Sequence, residues 1–298
     1  MKRQFIILGS IIWLFSCSPG SQSNEKLISE SIDTTASSYK ISDKALGDII
    51  KSIPSPIEIS MLIKESGGGY DESLLNPSGN SSSYNTNYRK ALNLGIYGAD
   101  MGYINIYNKS TDAIAYLSSI KELADELNIG QFYDFETIRR LSANSENADS
   151  LLLITLSNFE KINGFLHEKR RSDQSVLILV GGWLEGLHIS CQIAAKDKNP
   201  QLDEKIGEQK ILIDQMLLLV SNFKSDKNMA ALALDLRQLK NVYDKVTITY
   251  TYVEPEMKEV DGVLTIVDKS ESKVNITPQQ IKEIATIIAQ IRGKIINV

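Results

Sequence analysis

Two stretches of this chain are apolar almost all the way round a helix, and they organise the reading of everything between them. In ALNLGIYGADMGYINIY, from Ala91 to Tyr107, and in VLILVGGWLEGLHISCQIAA, from Val176 to Ala195, apolar side chains recur on every face at helical spacing. A helix so patterned belongs at the centre of a domain rather than on its surface. Both carry a stripe of small residues. Ala91, Gly95, Gly98 and Gly102 share one narrow face of the first, and Gly182, Gly186, Ser190 and Ala194 recur every four residues on the second. Small stripes let backbones approach closely, which offsets the roughly 1 kcal/mol that an interior glycine costs against alanine. The two stripes are therefore expected to face each other. The spacing G-x-x-G-x-x-x-G does not match a dinucleotide or Walker loop, and no strand precedes it.

Amphipathic helices surround this pair. Ser42 can cap KALGDIIKSI, and Ser55 with Pro56 opens IEISMLIKES, which stops at glycines 67 to 69. DESLLNPSGNSSSYNTN, rich in turn residues, reads as a long irregular loop. Thr111 can cap DAIAYLSSIKELADELNI, with Gly130 as its stop. Residues 147–170 and 173–196 form one expected hairpin, and residues 200–224 and 226–245 another. The pattern then changes to period two in VTITYTYV, followed by GVLTIV and KVNI, which predicts a small meander. Thr277 and Pro278 open a last amphipathic helix expected to cover it. The fold class is thus mainly α: a multi-helix bundle of long antiparallel helices with a small C-terminal β-meander covered by a last helix.

The N-terminus adds a location. Lys2 and Arg3 precede an apolar run from Phe5 to Phe15, too short for a stable membrane span, and Cys17 follows at once in LFSC. LFSC resembles a bacterial lipobox, although Phe15 is bulkier than the small residue usual there. The expected organisation is a signal peptide over 1–16, a disordered Ser/Thr-rich tether over 17–41 from a lipidated Cys17, a helical bundle over 42–245, and the meander with its helix over 246–298. Ser18 after the cysteine favours the outer membrane. Loss of Lys2 and Arg3 with the signal takes the formal net charge from −5 to −7. An acidic surface repels phosphate backbones and anionic headgroups, so the anchor must be the acyl group, and nucleic acid is not an expected partner. Cys191 is then the one remaining cysteine, and its neighbours Ile189 and Ile193 point to burial.

The phrases PSPIEISMLIKESGGGY, KALNLGIYGADMGY, YLSSIKELADELNI and GGWLEGLH together resemble a family of bacterial lipoproteins with no established activity; the likeness covers most of residues 53 to 195. It implies an exported, lipid-anchored, helical protein and supplies no catalytic residues.

Candidate chemistry is sparse. Asp100 sits on the all-apolar first helix, where an ionised carboxylate needs a partner; Arg139 or Arg140 could supply it, and the aspartate is either structural or a ligand-binding acid. Glu185 and His188 form E-x-x-H, the spacing of ferritin-like bundles, and Glu160 and His167 on the preceding helix could complete a mononuclear metal site. No nucleophile, base and oxyanion donors assemble from sequence, and no cofactor is implied. The expected function is a lipid-anchored envelope module that binds or scaffolds another envelope protein. Alternatives are a bundle metal protein or enzyme centred on Glu185 and His188, and a carrier of an apolar ligand.

Overall fold

A computed structural model describes residues 69–142, 148–196, 199–260, 263–267 and 271–297, with Ala45, Ile49, Met61, residues 63–65 and Gly67 before them. The expected signal peptide, Cys17, the expected tether and most of the two expected helices between residues 42 and 66 lie outside the described residues. All that follows belongs to the compact unit Ile41–Val298.

The protein is mainly α. From residue 69 onward the described α-helices are α1 (Asn87–Ile106), α2 (Ser110–Glu126), α3 (Phe135–Ser142), α4 (Ala148–Glu168), α5 (Ser172–Lys196), α6 (Pro200–Ser221), α7 (Lys227–Tyr243) and α8 (Pro278–Ile296). From Ala91 to Ile106 every residue of α1 except Gly98 is buried, and from Gln174 to Cys191 every residue of α5 except Leu179. These two helices make the closest-packed pair in the fold. By length and composition α5 could cross a bilayer, but 89% of its most apolar window is covered by the other helices, which accounts for its composition as that of a core helix. Around the pair the chain folds back on itself. Tyr97 meets Tyr116 and Lys90 meets Glu126, so α1 and α2 are antiparallel. The Tyr243 hydroxyl donates to the Ile206 carbonyl and Lys240 pairs with Asp214, which sets α6 against α7. Lys294–Asp235 and Lys245–Glu283 do the same for α7 and α8.

Local chemistry explains most boundaries. Thr86, Asn199, Asp226 and Thr277 cap α1, α6, α7 and α8 with side-chain oxygens that accept first-turn amides. Thr277 and Gln280 complete a reciprocal capping box ahead of Pro278. Thr277→Ala is expected to cost about 0.5–2 kcal/mol, read as a lower urea midpoint at unchanged slope. Two boundaries differ from the sequence expectation. Helix α2 starts at Ser110, with Lys109 in the cap position, so Thr111 lies inside its first turn. It is closed by Asn128 at φ 54°, which lets the Ile129 amide reach the Ala124 carbonyl, so the left-handed stop is the asparagine and not Gly130.

The segment before α1 is not an irregular loop. It makes two 3-10 turns, Glu72–Leu74 and Ser78–Ser83, and buries Leu74, Leu75, Asn76, Ser81 and Tyr84 against the core. Its Gly, Ser and Asn content reflects tight turning, while one side chain in every few still points inward.

The β segment, expected as a small meander, is made of two antiparallel two-stranded ladders that follow one another along a hairpin. Strand β1 (Thr247–Thr251) pairs with β4 (Glu271–Asn275), and β2 (Glu256–Val260) with β3 (Val263–Val267), all antiparallel. Val260 pairs with Val263 across the sequence Asp261-Gly262, the dipeptide that favours two-residue connections. Thr251↔Glu271 and Glu256↔Val267 leave four residues on one strand against three on the other, so the register shifts by one. Pro255, which has no amide to donate, stands in that break. The charged strand EMKEV lacks the alternation that marks a strand, so pairing with β3 rather than local pattern makes it one. The base of the hairpin rests on α6, where Val274 lies against Gly207. The last helix packs chiefly on α5 and α7, with its stripe Ile281, Ile284, Ile288, Ile291 and Ile295 in the bundle core.

Candidate functional site

Among the described residues, buried ionisable groups converge where α1, α5, α8 and the turn at Leu74–Asn76 meet. Leu92 meets Gly181, Gly95 meets Gly182, and Asp100 meets Glu185, so α1 and α5 advance in the same direction. That register puts the carboxyls of Asp100 and Glu185 within hydrogen-bonding reach of each other, and both residues are fully buried. From α8, Arg292 grips Glu185 with two bonds, Nε to Oε2 at 2.5 Å and Nη2 to Oε1 at 2.7 Å. Its Nη2 also donates to the Leu74 carbonyl at 3.0 Å. Two residues further on, the Asn76 amide donates to Asp100 Oδ2 at 3.2 Å. Asp100 Oδ1 receives no donor.

A polar seam continues from this cluster to the end of α8. Asn76 donates through Nδ2 to the Tyr84 hydroxyl and to Asn93 Oδ1, and Asn93 donates to the Arg89 and Ile295 carbonyls. The Arg89 guanidinium donates to the Asn297 carbonyl at 2.8 Å. Carbonyls at a helix C-terminus have no partners within the helix, and here α1 supplies them.

The electrostatics follow from burial. Desolvation first, then the charge of Glu185 and the hydrogen bond with it, hold Asp100 well above the ordinary carboxylate range, against the pull of Arg292 and the Asn76 amide. For Arg292, burial works against the charge, but Glu185 and Asp100 outweigh it and raise its proton affinity. His188, one turn beyond Glu185, is pushed down to about 4 by burial, and its Nδ1 has no partner. It is a neutral imidazole at pH 7. The hydroxyls of Tyr97 and Tyr116 are pushed up, by burial first and then by neighbouring charges that include Asp100.

The sequence candidates separate cleanly on this geometry. Asp100 and Glu185 come together, with His188 alongside. Glu160 and His167 lie exposed on α4, and His167 Nδ1 instead sits 3.3 Å from Ser172 Oγ. The four residues Glu160, His167, Glu185 and His188 therefore do not assemble a metal site, and among the described residues no group of three His, Cys, Asp or Glu side chains could hold an ion. Neither arginine offered as partner for Asp100 reaches it: both are exposed, and Arg139 pairs with Glu136 on its own helix. The cation is Arg292. Its signal was present in the sequence, since it falls within the isoleucine stripe of α8, where a charge has no reason to be unless it meets another. Cys191 is buried and its thiol is pushed up by desolvation, so it is a small apolar core residue. Trp183 is a core anchor whose indole donates to Gln209 Oε1 at 3.0 Å.

Of the five glycines singled out for close packing, Gly95 is where the central helices touch: a Cβ there would overlap the Ile178 carbonyl and come within 2.7 Å of the Gly182 amide nitrogen. The reciprocal contact is made by Gly181, off the predicted stripe, against the Leu92 carbonyl. Gly98 is a correction, because no heavy atom lies within 4 Å of the position its Cβ would take. Gly102 and Gly186 are buried. A four-residue repeat cannot choose between the adjacent glycines 181 and 182, and it gives the direction of a face without its depth.

Sealed between three helices, the acid pair and its arginine are shaped to hold elements together, and neither carboxyl presents an oxygen to solvent. Comparison with protein families, with curated proteins and with solved structures finds no match to this chain.

Proposed function

We propose that this chain is a non-catalytic binding or scaffolding module of the cell envelope, tethered to a membrane by lipid on Cys17. The observation that carries the non-catalytic reading is the sealing of Asp100, Glu185 and Arg292. The chain's most reactive constellation is committed to tying α8 to α1, α5 and the Leu74–Asn76 turn, where a substrate would have to part the core to reach it. The charged leader with its short apolar run and LFSC, and the likeness to exported lipoproteins, support the anchored location. A scaffold also needs something to hold. The β1–β2 strand of the hairpin exposes Tyr250, Tyr252, Val253 and Met257, amphipathic and apolar side chains of the kind enriched at interfaces.

Cys17→Ser is expected to move the protein from the membrane fraction to the soluble fraction of lysed cells. Equal retention of the variant in membranes would refute the anchor. The scaffolding reading is tested by a photocrosslinking residue at Tyr252, which should yield one discrete adduct with an envelope protein, while the same residue at exposed Lys161 on α4 yields none. Absence of an adduct at Tyr252 counts against it.

A further inference from the structure

Charge balance in the buried cluster leads to a proton. Two carboxyls, Asp100 on α1 and Glu185 on α5, meet beside one cation, Arg292 on α8, and each of the first two is wholly removed from water. Arg292 spends its bidentate face on Glu185 and donates a further Nη2 bond to the Leu74 carbonyl. Among the described residues the donor aimed at Asp100 is the Asn76 amide, which leaves Oδ1 without any. No other cation among the described residues faces the pair. From α5 comes the neutral His188; from α2, the Tyr116 hydroxyl; from α1 itself, Tyr97; and from the turn segment, Tyr84, with Glu72 and Arg89 acting only at longer range. Two anions against one cation in a sealed core is an uncompensated buried charge, whereas a carboxylic acid donating to a carboxylate satisfies both groups.

We propose that Asp100 is protonated in the folded protein and donates to the Glu185 carboxylate, so that the clasp holding α8 to the central helices contains one bound proton and loosens as pH rises.

The sign follows from linkage. In the unfolded chain Asp100 is an ordinary carboxyl, ionised at neutral pH, so folding takes up a proton. Its stabilisation is complete below the ordinary aspartate range and is lost as pH rises through the folded group's own, much higher, titration. His188 acts oppositely: its folded value of about 4 lies below the ordinary 6.5, so stability is lost as pH falls between those two values. The opposing slopes overlap below about pH 6.5, and from there to about pH 8, before the buried Cys191 thiol and tyrosine hydroxyls begin to ionise in the unfolded chain, the Asp100 slope dominates.

Two measurements on the purified chain decide the matter. Infrared spectra at pH 7 should contain the carbonyl stretch of a protonated carboxylic acid, absent from Asp100→Asn. Urea unfolding between about pH 6.5 and 8, below the titration of the Cys191 thiol and the tyrosines in the unfolded chain, should show the folding constant of the wild type falling by as much as tenfold per pH unit, the signature of one proton taken up. Asp100→Asn, the same shape with a permanent donor, should fold at pH 7 at least as well as wild type and lose that slope. A wild-type spectrum without the acid band would overturn the proposal, as would an Asp100→Asn variant whose slope persists.

Discussion

Arg292→Met should be among the most damaging single changes in the domain, lowering stability by about 3–5 kcal/mol, the cost of leaving a buried charge without its partner. The variant keeps much of the side chain's volume, so the loss would be electrostatic and not a cavity. Three bonds go at once: two to Glu185 and one to the Leu74 carbonyl. Glu185, fully buried, has no second cation to turn to, because Asp100 beside it is an acid and His188 is neutral. The substitution also removes the main tie between α8 and the turn before α1, which are 218 residues apart in sequence. Contrast Lys294→Met two residues on: Lys294 pairs with Asp235 from an exposed position, and such pairs contribute about 0–1 kcal/mol. Urea denaturation of the two variants at pH 7 compares them directly. A loss below about 1 kcal/mol in Arg292→Met would show that water reaches Glu185 and that the cluster is not sealed. The double change Glu185→Met with Arg292→Met offers a further check. Replacing a buried pair by apolar side chains of similar size is often neutral, so the double variant should recover much of what the single one loses.

The parts of this fold that were legible in the sequence are those where one segment's pattern has a single physical solution. Helices α1 and α5 are apolar on every face, and only a central position satisfies that. Thr277, Pro278 and the isoleucine stripe specify the start and the inner face of α8 with no help from the rest of the chain. The cluster was half legible by the same logic. Asp100 on an all-apolar helix demands a partner, and Glu185 repeats the demand on α5, but nothing local says that the two demands meet. The sequence offers Arg139 and Arg140, while the cation that answers, Arg292, comes from the far end of the chain. Partner choice is a property of the three-dimensional register, here set where Leu92 meets Gly181 and Gly95 meets Gly182. The turn segment hid its role for a different reason. Asn76 is a residue that turns favour, and its burial depends on the groups around it: Tyr84, Asn93 and Asp100 together satisfy its side chain and its amide. Strand β2 is the extreme case, since Glu256, Lys258 and Glu259 give it no strand pattern and its partner strand alone makes it extended.

The same register yields a prediction that separates glycines which look equivalent in the sequence. Gly95 and Gly98 lie on one face of α1, one turn apart, yet only Gly95 is in contact with α5. A methyl group on Gly95 would strike the Ile178 carbonyl oxygen and approach the Gly182 amide, both backbone atoms of a packed helix that cannot rotate away as a side chain would. Gly95→Ala is therefore expected to destabilise the domain by about 1–3 kcal/mol or more, the range for forcing atoms into a filled core. Gly181→Ala, facing the Leu92 carbonyl, should behave alike. At Gly98 the space is open and the backbone is helical, so alanine removes unfolded-chain entropy without a clash and should stabilise by up to about 1 kcal/mol. The signs are opposite, which makes the comparison robust to any general effect of altering α1. Because Gly95 also sets the spacing that lets Asp100 meet Glu185, separating the helices should weaken the proton clasp. Gly95→Ala should then show a shallower loss of stability above pH 6.5 than wild type, while Gly98→Ala keeps the wild-type slope. Thermal melts and urea titrations of the three alanine variants measure both quantities, and equal melting of Gly95→Ala and Gly98→Ala would dispose of the close approach.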